Sequence, residues 1–113
     1  MVDDDTEVAH YLKALLSPVY NVVCRFDADS AFKAMSEEAP DLVLSDVVMP
    51  GRYGYDLCRQ IMDDLHHCHI PVILVTAKAT VENQVEGLNT GADAYVTKPF
   101  EPNYLLALIK SQL

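Results

Sequence analysis

The 113 residues are the length of one domain, enough for a single core but not for a second substrate-binding body beside it. Half are apolar, yet no apolar run approaches the roughly 18 residues of a membrane helix, and the acidic opening is unlike a signal peptide, so a soluble, cytoplasmic chain without membrane contact is expected. Eight Lys and Arg against seventeen Asp and Glu leave a formal charge of −9 with no clustered basic face, which argues against direct nucleic-acid binding.

Met1-Val2 reads as the remnant of a truncated first strand, closed by the acidic run Asp3-Asp4-Asp5. Val8, Leu12, Leu15 and Leu16 then recur at helical period, and Tyr20 to Arg25 form a weaker second strand. Ala28, Phe32 and Met35 mark a second helix capped by Asp27 or Asp29. Leu42-Val43-Leu44, apolar at consecutive positions and too short for a helix, predicts a strand buried on both faces. The loop Val47-Val48-Met49-Pro50-Gly51 follows, with Pro50-Gly51 as turn makers.

A third helical stripe runs through Cys58, Ile61, Met62 and Leu65, and Val72-Ile73-Leu74-Val75 is the second strongly apolar strand. Val81, Val85 and Leu88 give a fourth stripe, capped by Thr80, with Gly91 where a helix end requires positive φ. Ala94-Tyr95-Val96 is a short strand ending at Thr97-Lys98-Pro99, and Leu105, Leu108 and Ile109 belong to a fifth helix. Alternating strands and helices with short links predict an α/β fold: a doubly wound parallel sheet with helices on both faces.

The three cysteines, Cys24, Cys58 and Cys68, are odd in number and lack CxxC spacing, which suits a reducing compartment and small buried hydrophobes. His66-His67-Cys68-His69 are zinc-type ligands, but consecutive placement is poor for a tetrahedral site. The segment reads instead as a helix end where histidine favours the dipole, and His10 as a surface residue.

In a doubly wound sheet, ligands bind beyond the C-terminal ends of the strands. The polar residues there are Asp3 and Asp4 after the first strand, Asp46 after the third, Thr76 after the fourth and Lys98 after the fifth. Three convergent carboxylates repel one another unless a cation neutralises them, and a hard, oxygen-seeking ion such as Mg²⁺ is the natural partner. A carboxylate is also a competent nucleophile towards phosphorus when a metal and a lysine absorb the charge on the phosphoryl oxygens. Asp46, fixed by a buried strand, is the best-placed nucleophile. Singly, Asp3 to Asp5 read more readily as a solvated helix N-terminus, and Asp46 reads equally as a turn residue, Thr76 as a strand-end hydroxyl and Lys98 as a surface charge. Their ordered spacing, thirty positions from Asp46 to Thr76 and twenty-two from Thr76 to Lys98, is far more specific.

VDDD, PDLVLSDVVMPG, PVILVTA and GADAYVTKPF, spread over essentially the whole chain, resemble the receiver domain of bacterial two-component response regulators. The resemblance implies one receiver domain over residues 1–113 with a flavodoxin-like (βα)5 fold, five strands in the order 2-1-3-4-5. It implies that Asp46 is the phosphoacceptor and that Asp4 directly, Asp3 through water, Asp46 and the Val48 carbonyl hold Mg²⁺. Thr76 and Lys98 would serve the phosphoryl group, Tyr95 would be a switch aromatic responding to Thr76, and Lys98-Pro99 would be cis. Read by itself, Tyr95 is as readily a half-buried aromatic on an edge strand, and Pro99 as readily a strand terminator. Val48, Lys78 and Arg52-Tyr53 depart from the family's common pattern without removing a required group.

The implied partners are a histidine kinase as phosphoryl donor and an output domain in the same or another chain, with a homodimer through the fourth helix, fifth strand and fifth helix as a further expectation. The chain would be a phosphoacceptor, not an enzyme, excised from a longer regulator or hybrid sensor kinase. Two alternatives remain: a pseudo-receiver that binds without phosphorylation, and a small haloacid-dehalogenase-like phosphatase. The latter requires a general-acid aspartate two positions after the nucleophile, where this chain has Val48, and Glu7 stands where Thr or Val is wanted.

Overall fold

The computed structural model describes residues 1–49, 52–76, 85, 89, 91–98 and 100–113. Its elements are α1 (Thr6–Leu16), α2 (Ala28–Glu37), β1 (Val43–Ser45), β2 (Val48–Met49), β3 (Arg52–Tyr53), α3 (Gly54–Asp63), β4 (Val72–Thr76), β5 (Ala94–Thr97) and α4 (Pro102–Gln112). The strands β1, β4 and β5 form a parallel sheet in which β4 is central. Leu44 pairs with Ile73, and Leu74 with Tyr95.

Side chains alternate across a strand, and the two faces of this sheet meet different helices. Val43, Val72 and Leu74 join Ala28, Ala31 and Met35 of α2 and Leu57, Cys58 and Ile61 of α3 in one core. Leu44, Ile73, Val75 and Val96 face the other way and pack with Leu12 and Leu16 of α1 and Leu105 and Ile109 of α4. That two-sided burial is why the strands read as unbroken apolar runs, and it makes the fold an α/β sheet with helices on both faces.

Two expected strands are reduced to isolated bridges. Val2 makes a parallel bridge to Arg25 on one side and to Ser45 on the other, which seats it between them. Of the expected strand Tyr20 to Arg25 only Arg25 is bridged, and residues 21–24 run without regular pairing. Among the described residues the parallel sheet therefore has three full strands where five were expected.

The helix caps follow the local chemistry. Asp5 accepts from the N–H groups of Glu7 and Val8 at the start of α1, Asp27 from Ser30 at the start of α2, and Glu101 from Tyr104 at the start of α4. Asp27, not Asp29, caps the second helix, and those N–H donors hold its carboxyl below the usual carboxylate range. Gly91 has φ 97°, as its position suggested, and a Cβ there would come within 2.6 Å of Met62 Cγ. Of the fourth predicted helix only Val85 and Asn89 are described, both helical; Thr80, Val81, Leu88, Lys78, Pro50-Gly51 and Pro99 lie outside the described residues.

The segment after α3 differs from expectation. The helix ends at Asp63, so Leu65 is 91% exposed and belongs to a turn, and His66 to His69 are not a helix end. His67 is instead buried: its Nε2 lies 3.2 Å from the Met35 carbonyl oxygen, and its ring meets Phe32 edge-on. Its Nδ1 stands 3.3 Å from Asp64 Oδ1. Of the cysteines only Cys58 is buried; Cys24 is half-buried and Cys68 exposed, against the expectation of three buried thiols. His10 is exposed, and no described helix is long and apolar enough to cross a membrane.

Candidate functional site

At the C-terminal edge of the sheet, the chain brings Asp3, Asp4 and Asp46 together, one carboxylate oxygen from each lying within 4.8 Å of the others. Backbone pairing sets this convergence. Val2 N–H donates to Leu44 O at 2.7 Å and Asp46 N–H to Val2 O at 2.8 Å, so the residues just beyond Val2 and Ser45 leave the sheet side by side. Asp3 N–H donates to Arg25 O at 3.1 Å, which anchors the same corner from the opposite side.

Lys98 arrives one residue past β5 and closes the cluster. Its Nζ lies 2.9 Å from Asp3 Oδ2 and 3.7 Å from Asp46 Oδ2. Asp3 is 1% exposed and also accepts from Asp5 N–H at 2.9 Å, so its charge is balanced by an ion pair and a backbone donor. Asp4 is exposed. The lysine expected to serve a phosphoryl group thus rests chiefly on the buried acid of the pair.

Asp46 is half-buried, and Val47 N–H donates to its Oδ1 at 2.8 Å. Its carboxyl is held above the usual range, first by burial and then by the charge of Asp3, with Asp4 adding a smaller push; Lys98 and the Val47 N–H oppose the rise. An acid cluster whose repulsion exceeds its own cation is electrostatically primed for a divalent ion, and carboxylate oxygens are hard donors.

Val48 opens β2, an unforeseen two-residue strand paired antiparallel with Tyr53 of β3. Two-residue strands on either side of Pro50-Gly51 are too short to show an alternating pattern that would reveal this hairpin. Thr76 ends β4 with its backbone paired to Thr97, one residue before Lys98, at the same edge of the sheet as Asp46. Tyr95, on β5, is half-buried and packs against the core that α2 and α3 share.

Two supports of the site carried no recognised sequence signal. Asp93 Oδ2 accepts from Val72 N–H at 2.8 Å while Asp93 N–H donates to Val72 O, which fixes the entry of β4 against β5. Gly54 starts α3 so close to the phosphoacceptor candidate that a Cβ on it would overlap the Asp46 carbonyl oxygen and lie 3.0 Å from the carbonyl carbon. A glycine eight positions beyond Asp46, at the first turn of an apolar helical stripe, was the available hint.

The family model for the response regulator receiver domain matches residues 1–110. Among solved structures, the signal receiver domain of a signal transduction histidine kinase from Syntrophus aciditrophicus is 34% identical with a TM-score of 0.92, the alignment covering 99% of this chain and 86% of that one. The BeF3-activated N-terminal receiver domain of Klebsiella pneumoniae RstA is 33% identical with a TM-score of 0.90, covering 98% and 93%. NtrX from Brucella abortus is 29% identical with a TM-score of 0.90, but its match covers 99% of this chain and only 26% of that one. With the sheet, the acid cluster and these matches in agreement, the chain belongs to the response regulator receiver domain family of two-component signalling.

Proposed function

We propose that this chain is a phosphoacceptor, taking a phosphoryl group on Asp46 from the phosphohistidine of a histidine kinase. The observation that carries the reading is the grouping of Asp3, Asp4 and Asp46 within 4.8 Å, with Lys98 bridging Asp3 and Asp46. The donor set suits Mg²⁺, which Asp3, Asp4, Asp46 and the Val48 carbonyl would hold and which, when bound, offsets charge on the phosphoryl oxygens.

The chain's own residues divide the remaining work. Asp46 supplies the oxygen lone pair that forms the new O–P bond, while the P–N bond to the donor imidazole breaks and its electron pair returns to nitrogen, which takes a proton from solvent. Lys98, already 3.7 Å from Asp46 Oδ2, pairs with the transferred group as it leaves Asp3. The Thr76 hydroxyl donates to a phosphoryl oxygen, and Tyr95 turns inward behind it, altering the surface of the fourth predicted helix, β5 and α4 for an output domain or a second copy. The chain acts as a reactant that promotes its own phosphorylation and dephosphorylation, not as an enzyme on an external substrate. BeF3 activation of the Klebsiella RstA receiver supports the reading by similarity.

The test is reaction with acetyl phosphate with and without Mg²⁺, read by intact mass for wild type and Asp46→Asn. A single phosphoryl adduct that requires Mg²⁺ and vanishes in the variant is expected. Well-folded wild type that gains no adduct overturns the phosphoacceptor reading.

A further inference from the structure

The backbone of Asp46 is gripped where no side-chain ligand is involved. Its carbonyl oxygen accepts from Ser45 Oγ at 2.9 Å, and Ser45 is 1% exposed, so this hydroxyl is committed inside the protein. On the same carbonyl sits Gly54 Cα, where any Cβ would overlap the oxygen and reach 3.1 Å from Ser45 Oγ. Gly54 N–H also donates to Val47 O at 2.6 Å, so the chain leaving Asp46 closes on itself at the start of α3. The β2–β3 hairpin, which carries Val48, is the segment enclosed by that closure.

We infer that Ser45 and Gly54 form a clamp on the Asp46 carbonyl, a positioning device that sets the Asp46 carboxylate and the Val48 backbone in register with Asp3 and Asp4 for cation binding. The inference rests on the Mg²⁺ reading of the same site. A side chain at position 54 meets backbone, which cannot swing aside as a flexible side chain can, so Asp46 or the start of α3 must move. Either movement shifts one carboxylate out of a three-carboxylate set while leaving every ligand residue in place.

Groups that orient metal ligands typically change affinity by about 10–100-fold when altered, and the expected loss for Gly54→Ala is of that order. The experiment is calorimetric Mg²⁺ titration, with melting temperatures in EDTA, for wild type, Gly54→Ala, Ser45→Ala and Leu57→Ala. Leu57 lies in α3, fully buried in the core and not in the acid cluster, and its truncation supplies a control for lost stability alone. The clamp predicts Mg²⁺ binding weakened by about tenfold or more in Gly54→Ala and by about threefold or more in Ser45→Ala, with Leu57→Ala retaining wild-type affinity despite its lower melting temperature. Folded Gly54→Ala that binds Mg²⁺ as wild type does, or Leu57→Ala that loses affinity in proportion to stability, overturns the clamp. Should Gly54→Ala not fold, Ser45→Ala decides: unchanged affinity overturns the clamp and weakened affinity upholds it. Wild type that binds no Mg²⁺ overturns both the metal reading and the clamp, whereas wild-type binding matched by the variants overturns the clamp alone.

Discussion

Replacing Asp46 by asparagine should stabilise the metal-free protein. At 4.8 Å, the outer limit for the carboxylate group, and an effective dielectric constant of 20, each acid neighbour repels Asp46 by about 3.5 kcal/mol, while Lys98 at 3.7 Å attracts it by about 4.5 kcal/mol. Asp4 is exposed and its share is reduced by solvent, so the unfavourable balance, with burial added, is about 1–3 kcal/mol. Asparagine retains an oxygen for the Val47 N–H and leaves Lys98 wholly to Asp3. The folded-state pKa of Asp46 is raised, so its contribution to stability is fully present below the unfolded carboxylate value and is lost as pH rises through the raised folded value. Thermal melts in EDTA should therefore show Asp46→Asn above wild type by about 4 °C or more near neutral pH, the gap closing towards about pH 4. Mg²⁺ at a hundredfold excess over its dissociation constant should return about 2.7 kcal/mol to wild type and less to the variant. A variant that melts below wild type at neutral pH without metal, or a gap that widens on acidification, would refute the electrostatic account.

Lys98→Ala leaves Asp3 buried with only one backbone donor, and a loss of about 3–5 kcal/mol in denaturant unfolding is expected; a loss within that of an ordinary surface substitution would show that Asp3 is not a buried charge. Gly91→Ala forces a side chain into a φ of 97° and against Met62, and should cost more than the roughly 0.4–1 kcal/mol by which Gly-to-Ala changes stabilise compatible sites, with the opposite sign in the melting temperature. Asp27 and Asp64 have carboxyls held low mainly by the N–H groups of Ser30 and His66, so the stability they add is present above the unfolded carboxylate pKa and is lost as pH falls through the folded values. Asp27→Asn, which keeps the cap oxygen without the charge, should flatten the acid limb of the stability profile, and an unchanged limb would count against that cap.

Much of the site was legible because its chemistry is tied to chain order. Strands buried on both faces appear as consecutive apolar residues, and the residues after them must emerge at one edge of a parallel sheet, so Asp3, Asp4, Asp46, Thr76 and Lys98 could be grouped from position alone. The assignment of faces was not legible in the same way. Val72 and Leu74 go to one core and Ile73 and Val75 to the other, but a run of four apolar residues does not say which helices cover which side.

Sequence by itself determined the α/β class, the apolar stripes of the first, second and last helices and the identity of the converging acids, because periodicity and strand-end placement are properties of local order. Tertiary structure alone decided the rest: Lys98 settles on buried Asp3 before Asp46, His67 turns inward to Met35, and Gly54 rests on the Asp46 carbonyl. Each of these contacts joins residues whose approach depends on how whole elements pack. Burial, and the charge repulsion and hydrogen bonding it strengthens, exist only once that packing has excluded water.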